Sequence, residues 1–175
     1  ITVTDAGITD AEIVTLSAET TGVVTATSAT TALATAVSGL AFTGDNAGEA
    51  ISDDFSGHAI TYNLVDNTVT AANLNTLVGR TTGTITITPA DGDDSPDISG
   101  SATALATAFA SSQIVGLDAA AVTITGGASV AQINSLASQT TGVITATPTD
   151  GDMTTLAGLT ETTNALSISV TDASV

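Results

Sequence analysis

Thr81-Thr82-Gly83-Thr84-Ile85-Thr86-Ile87-Thr88 is the stretch whose reading decides the fold. After Gly83 the residues alternate strictly. Ile85 and Ile87 point one way, and Thr84, Thr86 and Thr88 point the other, which is the period of a half-buried strand. The phrase recurs as Thr20-Thr21-Gly22-Val23-Val24-Thr25-Ala26-Thr27 and as Thr140-Thr141-Gly142-Val143-Ile144-Thr145-Ala146-Thr147. Its glycines are 61 and 59 residues apart, so the chain reads as an array with a period of about 60 residues.

The flanks of the phrase repeat as well. Upstream stand Ala11-Glu12-Ile13-Val14-Thr15-Leu16, Ala72-Asn73-Leu74-Asn75-Thr76-Leu77 and Ala131-Gln132-Ile133-Asn134-Ser135-Leu136. Thr9 precedes Glu12 by three residues and Ser129 precedes Gln132 by three, the spacing of a capping box, so each block is expected to be a short helix. Ala11, Ile13 and Leu16 are expected to cover its packed side, because so short a helix must lie on a sheet to be stable. Short strands precede these blocks at Ile1 to Asp5, Ile60 to Leu64 and Val122 to Thr125. Thr31-Ala32-Leu33-Ala34-Thr35-Ala36-Val37 matches Thr103-Ala104-Leu105-Ala106-Thr107-Ala108-Phe109 and predicts a second type of helix. Met153 to Leu159 takes its place in the third unit.

Seven strands follow, starting near residues 1, 23, 60, 84, 122, 143 and 167. The connections, mostly helical and about 20 to 40 residues long, are too long for hairpins, so the strands are expected to be parallel and the crossovers right-handed. The expected fold is α/β, a right-handed repeat solenoid with a parallel β-sheet on one side and short helices on the other. A parallel β-helix is the alternative. The array divides into units of about 1–59, 60–121 and 122–167, with 168–175 starting the next. Gly22, Gly83 and Gly142 are expected at the turns, and Val24, Ile85, Ile87 and Ile144 in the core.

The 175 residues can bury a sizeable core. With three Phe, one Tyr and no Trp, that core must be built from Ala, Val, Ile and Leu, which suits thin regular layers. Arg80 is the single basic residue against 18 acidic ones, a formal net charge of −17. Phosphate neutralisation needs Lys and Arg, so nucleic acid is excluded as a direct partner. An anionic membrane surface is disfavoured for the same reason. Such a surface suits a saline or calcium-containing medium, where its self-repulsion is screened. There is no Cys, hence no disulfide. No run of 18 apolar residues is present, so membrane insertion is not expected. A chain beginning at Ile1 reads as a piece of a longer protein.

Ile168-Ser169-Val170-Thr171-Asp172-Ala173-Ser174-Val175 restarts Ile1-Thr2-Val3-Thr4-Asp5-Ala6-Gly7-Ile8 with five identities in eight. The expected partners are therefore adjacent repeats or identical subunits end to end, besides a cell-surface or environmental ligand. The phrases Val-Thr-Asp-Ala, Ala-x-Leu-Asn-Thr-Leu, Thr-Thr-Gly-Thr and Thr-x-Leu-Ala-Gly-Leu-Thr resemble the long repeats of giant extracellular cell-surface proteins of marine cyanobacteria and related bacteria. Those are grouped with haemolysin-type adhesins. The resemblance implies a structural or adhesive role outside the cell and no catalysis. The Gly-Gly-x-Gly-x-Asp calcium repeat of such proteins is absent, so that mode of calcium binding is not implied.

Three constellations could carry chemistry. The only His, His58, stands near Asp53, Asp54 and Ser56, but no Gly-x-Ser-x-Gly elbow or Cys accompanies it, and an enzyme is not expected. Asp91, Asp93, Asp94 and Asp97 crowd one loop, Asp150 and Asp152 follow the equivalent strand, and Asp45-Asn46 and Asp53-Asp54 lie in the first long connection. Carboxylates on flexible loops are what Ca²⁺ takes, making calcium the candidate cofactor, while the plain alternative is that Asp-Gly makes soluble turns. Finally, Thr2, Thr4, Thr25, Thr27, Thr84, Thr86, Thr123, Thr125, Thr145 and Thr147 would form two outward ladders if all strands stacked in register. That grid resembles the ice-contacting face of β-helical antifreeze proteins. Thr is also simply a β-branched residue suited to a solvated face.

Overall fold

A computed structural model describes residues 1–5, 7–39, 57–160 and 163–171. The elements in order are α1 (Asp10–Ala18), β1 (Thr25–Thr27), α2 (Leu33–Gly39), β2 (Ala59–Leu64), β3 (Thr68–Thr70), α3 (Ala71–Val78), β4 (Ile85–Ile87), β5 (Asp97–Gly100), α4 (Ala102–Ala110), β6 (Ile114–Val115), β7 (Val122–Ala128), α5 (Val130–Ala137), β8 (Ile144–Pro148), α6 (Met153–Leu156) and β9 (Ala165–Leu166). The protein is α/β, with parallel strands and short helices.

Where one sheet was expected there are two. One runs β1-β2-β4-β6 and the other β3-β5-β7-β8-β9. The missed strands, β3, β5 and β6, are two to four residues long, and β5 and β6 lie in stretches that look like loop by composition. The expected first strand, Ile1 to Asp5, is reduced to an isolated bridge from Thr2 to Thr25, and Ile8 beyond it bridges to Ser28. Every pairing between named strands is parallel. Thr25 pairs with Ala59 and Thr145 with Ala165, offsets of 34 and 20 residues that bracket the others. Within each sheet, successive passes of the chain therefore pair side by side in sequence order.

The helices form where the sequence supplies caps. Thr9 and Ser129 each make a complete capping box, with Glu12 and Gln132. Thr70, Ser101 and Asp152 cap α3, α4 and α6 through the backbone N–H three residues on. Leu74 and Leu77 of α3, Leu105 and Ala108 of α4, and Ile133 and Leu136 of α5 are buried at three-residue spacing, so each helix lays one stripe on the core. In α1 the buried contact is Ile13. Leu16 is half-buried, and Ala11 faces solvent, contrary to expectation, because two residues turn the helix by about 200° and so set it on the side opposite the buried Ile13. Val24, Ile85, Ile87 and Ile144 are buried as expected, beside a fully buried Tyr62.

Candidate functional site

The recurring Thr-Thr-Gly is a fastening between passes. Thr81 is 3% exposed, and its Oγ1 accepts from the N–H of Ile60 at 2.9 Å and donates to the Ile60 carbonyl at 2.8 Å. The same oxygen accepts the N–H of Gly83 at 3.0 Å. Thr82 donates its N–H to the His58 carbonyl at 2.9 Å and its hydroxyl to the same oxygen at 3.0 Å. From the following pass, the Gln113 amide donates to the carbonyls of Thr81 and Gly83 at 2.7 and 3.1 Å. The phrase at 140 repeats the pattern. Thr140 donates to the Ala120 carbonyl at 2.7 Å and accepts Gly142 N–H at 3.0 Å, while Thr141 N–H reaches the Asp118 carbonyl at 2.8 Å.

This explains the glycine in a way the sequence alone did not. Gly83 and Gly142 were expected for their turn conformation, but neither has a positive φ. Each is required for space. A Cβ on Gly83 would sit 2.2 Å from the Ile60 carbonyl oxygen, and one on Gly142 would sit 2.2 Å from that of Ala120. Backbone pressed on backbone leaves no room for a side chain.

The phrase at 20 has the same local geometry and, among the described residues, no strand pressed against its glycine. Gly22 N–H reaches Thr20 Oγ1 at 3.1 Å, as in the other two copies. A Cβ on Gly22 would meet nothing nearer than Thr20 Oγ1 at 3.5 Å. Thr2, Thr4, Asp5, Ile8, Glu12 and Leu16 line an open groove between the first residues and α1.

The carboxylates expected as metal ligands are dispersed. Asp150 Oδ2 accepts the N–H of Val130 at 2.7 Å and so caps α5 from the next pass. Asp152 caps α6 by accepting Thr155 N–H at 2.8 Å. Asp91 Oδ1 accepts Asp93 N–H at 3.2 Å within its own loop, and Asp93, Asp94 and Asp97 are exposed. Among the described residues no three ligating side chains converge. Asp45, Asn46, Asp53, Asp54 and Ser56 lie outside the described residues. Hydrogen bonds from Thr9 lower the Glu12 pKa, backbone before side chain. Those from Thr155 lower that of Asp152, side chain before backbone. Sequence reasoning missed Asp66, whose Oδ2 accepts Leu33 N–H at 2.6 Å, and Asn134, whose amide spans to Gly158 and Thr160 at 2.7 and 3.2 Å. Only knowledge of which passes are neighbours would have found them. His58 Nδ1 accepts Val24 N–H at 3.0 Å and serves the junction of β1 and β2.

The expected double Thr ladder does not form, because its members belong to two sheets. Thr2 and Thr25 align, but Ala59 follows them in register, and Thr86 lies between Asn63 and Val115. In the other sheet Ser99, Thr123 and Thr145 make a short row ending at Ala165. A register shift after Thr123 then sets Thr147 against Gly127, leaving Thr125 without a counterpart. Thr27 pairs with Thr61 of β2, and Thr4 and Thr84 are exposed outside the named strands.

No protein-family profile matches the chain, and neither a curated protein nor a solved structure is significantly similar to it. No described helix is long and apolar enough to cross a membrane.

Proposed function

We propose that this chain is a structural repeat module of a long extracellular surface protein, serving as stalk, spacer or filament segment, with its passes forming the coils of a right-handed solenoid. The observation that supports this reading is the fastening itself. Two strongly similar phrases, 59 residues apart, hold their passes to the preceding strand through the same threonine and the same glycine. A chain that grows by one such contact per repeat gains length without needing a pocket, and its stability is a sum of neighbour contacts. The acidic surface, with one cation in 175 residues, fits a saline exterior. Immunogold labelling of intact cells that make the protein tests the reading. Label on the outer surface is expected, and label appearing only after permeabilisation would contradict it.

A further inference from the structure

The third Thr-Thr-Gly does not fasten where the second does, and the difference leaves a sheet edge open in the middle of the chain. Thr82 reaches the His58 carbonyl just ahead of β2, and β4 then lies beside β2. Thr141 reaches the Asp118 carbonyl, past β6 and ahead of β7, and β8 then lies beside β7 in the other sheet. The sheet β1-β2-β4-β6 therefore stops at β6, although the chain runs on through β7, α5 and β8. We infer that the outer edge of β6 is a docking groove for an extended, basic segment of a partner protein, which adds to this sheet as a strand beside Ile114 and Val115.

The backbone offers the bonds. Ile85 N–H takes the Gln113 carbonyl at 2.8 Å, and Ile85 and Thr86 pair with Ile114 and Val115, so Val115 turns its own N–H and carbonyl towards β4. The Ile114 carbonyl and the Gly116 N–H therefore point the other way. Among the described residues neither has a hydrogen-bond partner. One residue of a parallel strand, set opposite Val115, would satisfy both.

The side chains lack a neighbour at the same place. Tyr62, Ile85 and Ile114 stand in one register row; the first two are fully buried and Ile114 is only half-buried. Val115 is 49% exposed. Half-buried Phe109 of α4 joins Ile114, Val115, Gly116, Asp118 and Gln139 around a groove of about 270 Å³ along this edge. Phe109 and Ile114 give it an apolar wall for one apolar side chain of the incoming strand. Charge decides the kind of occupant. Asp118 stands exposed at the rim, and its carboxylate accepts no hydrogen bond among the described residues. The chain's single cation, Arg80, donates instead to the Val37 carbonyl. A second copy would bring its own −17 to the contact, so a basic segment fits this edge and a like chain does not.

Fluorescence anisotropy of a labelled, end-capped peptide, Thr-Gly-Thr-Ile-Thr-Ile-Thr-Lys-Lys, titrated with the full chain tests this. Its first part copies residues 82–88, the strand that occupies the equivalent place beside β2. Saturable binding is expected, about fivefold or more weaker in about 0.5 M than in about 0.05 M salt. Pro in place of the Thr between the two Ile removes the N–H meant for the Ile114 carbonyl and should weaken binding about tenfold or more. Asp118→Asn should weaken it about threefold, and a Glu-Glu tail on the peptide should abolish it. Amide exchange of the complex should show the Gly116 N–H slowed about tenfold or more, with that of Thr141, already bonded, unchanged. No saturable binding, a Pro peptide that binds equally well, or a Gly116 N–H unmoved by the peptide would overturn the proposal. So would a Gly116 N–H protected by raising the chain's own concentration without peptide, since a second copy would then hold the edge. Surface labelling of cells reads the structural-module proposal separately, so either idea can fail alone.

Discussion

The phrases at 20–22 and 81–83 have the same three letters and the same local bond from glycine N–H to threonine hydroxyl, at 3.1 and 3.0 Å. The glycine at 83 presses on a neighbouring strand, and the one at 22 presses on none among the described residues. The difference teaches what the sequence conserves across the repeat. Glycine is kept because of a strand that must pass within contact distance, and that constraint belongs to the pair of passes, since the isolated turn does not need it. The third copy, at 140–142, sides with the second and shows that engagement is the rule where a preceding strand is present.

Substitution of the three glycines should separate the two cases most widely. Gly83→Val and Gly142→Val must push carbonyls away and are expected to cost about 3 kcal/mol or more, the range of a severe core lesion. Gly22→Val should fall within about 0.5 kcal/mol of the wild type. Denaturant unfolding of the monomer reads all three, and equal losses would break the comparison. Next come the hydroxyls. Thr81→Val leaves the buried N–H of Ile60 without its acceptor and should cost about 1–3 kcal/mol, whereas Thr20→Val removes only a local bond and should cost well under 1 kcal/mol.

Caps give a smaller effect of the same kind. Asp150→Ala and Asp66→Ala each remove a cap supplied by the following pass and should lower stability by about 1 kcal/mol. The pH dependence of the local caps should be smallest. Glu12 and Asp152 have lowered folded pKa values, so their contribution is complete above the ordinary carboxylate range, about pH 5, and is lost as pH falls through the folded values. Melting curves of Glu12→Gln and Asp152→Asn should therefore approach that of the wild type in acid. A gap that persists undiminished there would show that the carboxylates act otherwise.

The repeat, the helices and the parallel strands were legible because periodicity and capping are local signals. Thr9 with Glu12 and Ser129 with Gln132 announced their helices. The second sheet was not legible. Val69, a lone buried residue between two exposed threonines, and Ile98, between Asp97 and Ser99, give too short a pattern to read as strands. Their pairing comes from the passes on either side. The Thr ladder was misjudged for the same reason, as outward threonines align only if their strands share a sheet. The acidic loops suggested a metal by composition. Asp152 caps the helix it opens, and Asp150 caps α5 of the preceding pass, a use visible only once that helix is placed beside it.

Amide hydrogen exchange of the dilute monomer tests the central claim, that the phrase fastens passes, most directly. Thr82 and Thr141 donate their N–H groups to His58 and Asp118, while Thr21 N–H finds no acceptor among the described residues. Slow exchange at Thr82 and Thr141 with fast exchange at Thr21 is the expected result. Thr21 protected as strongly as the other two, or all three exchanging freely, would contradict it.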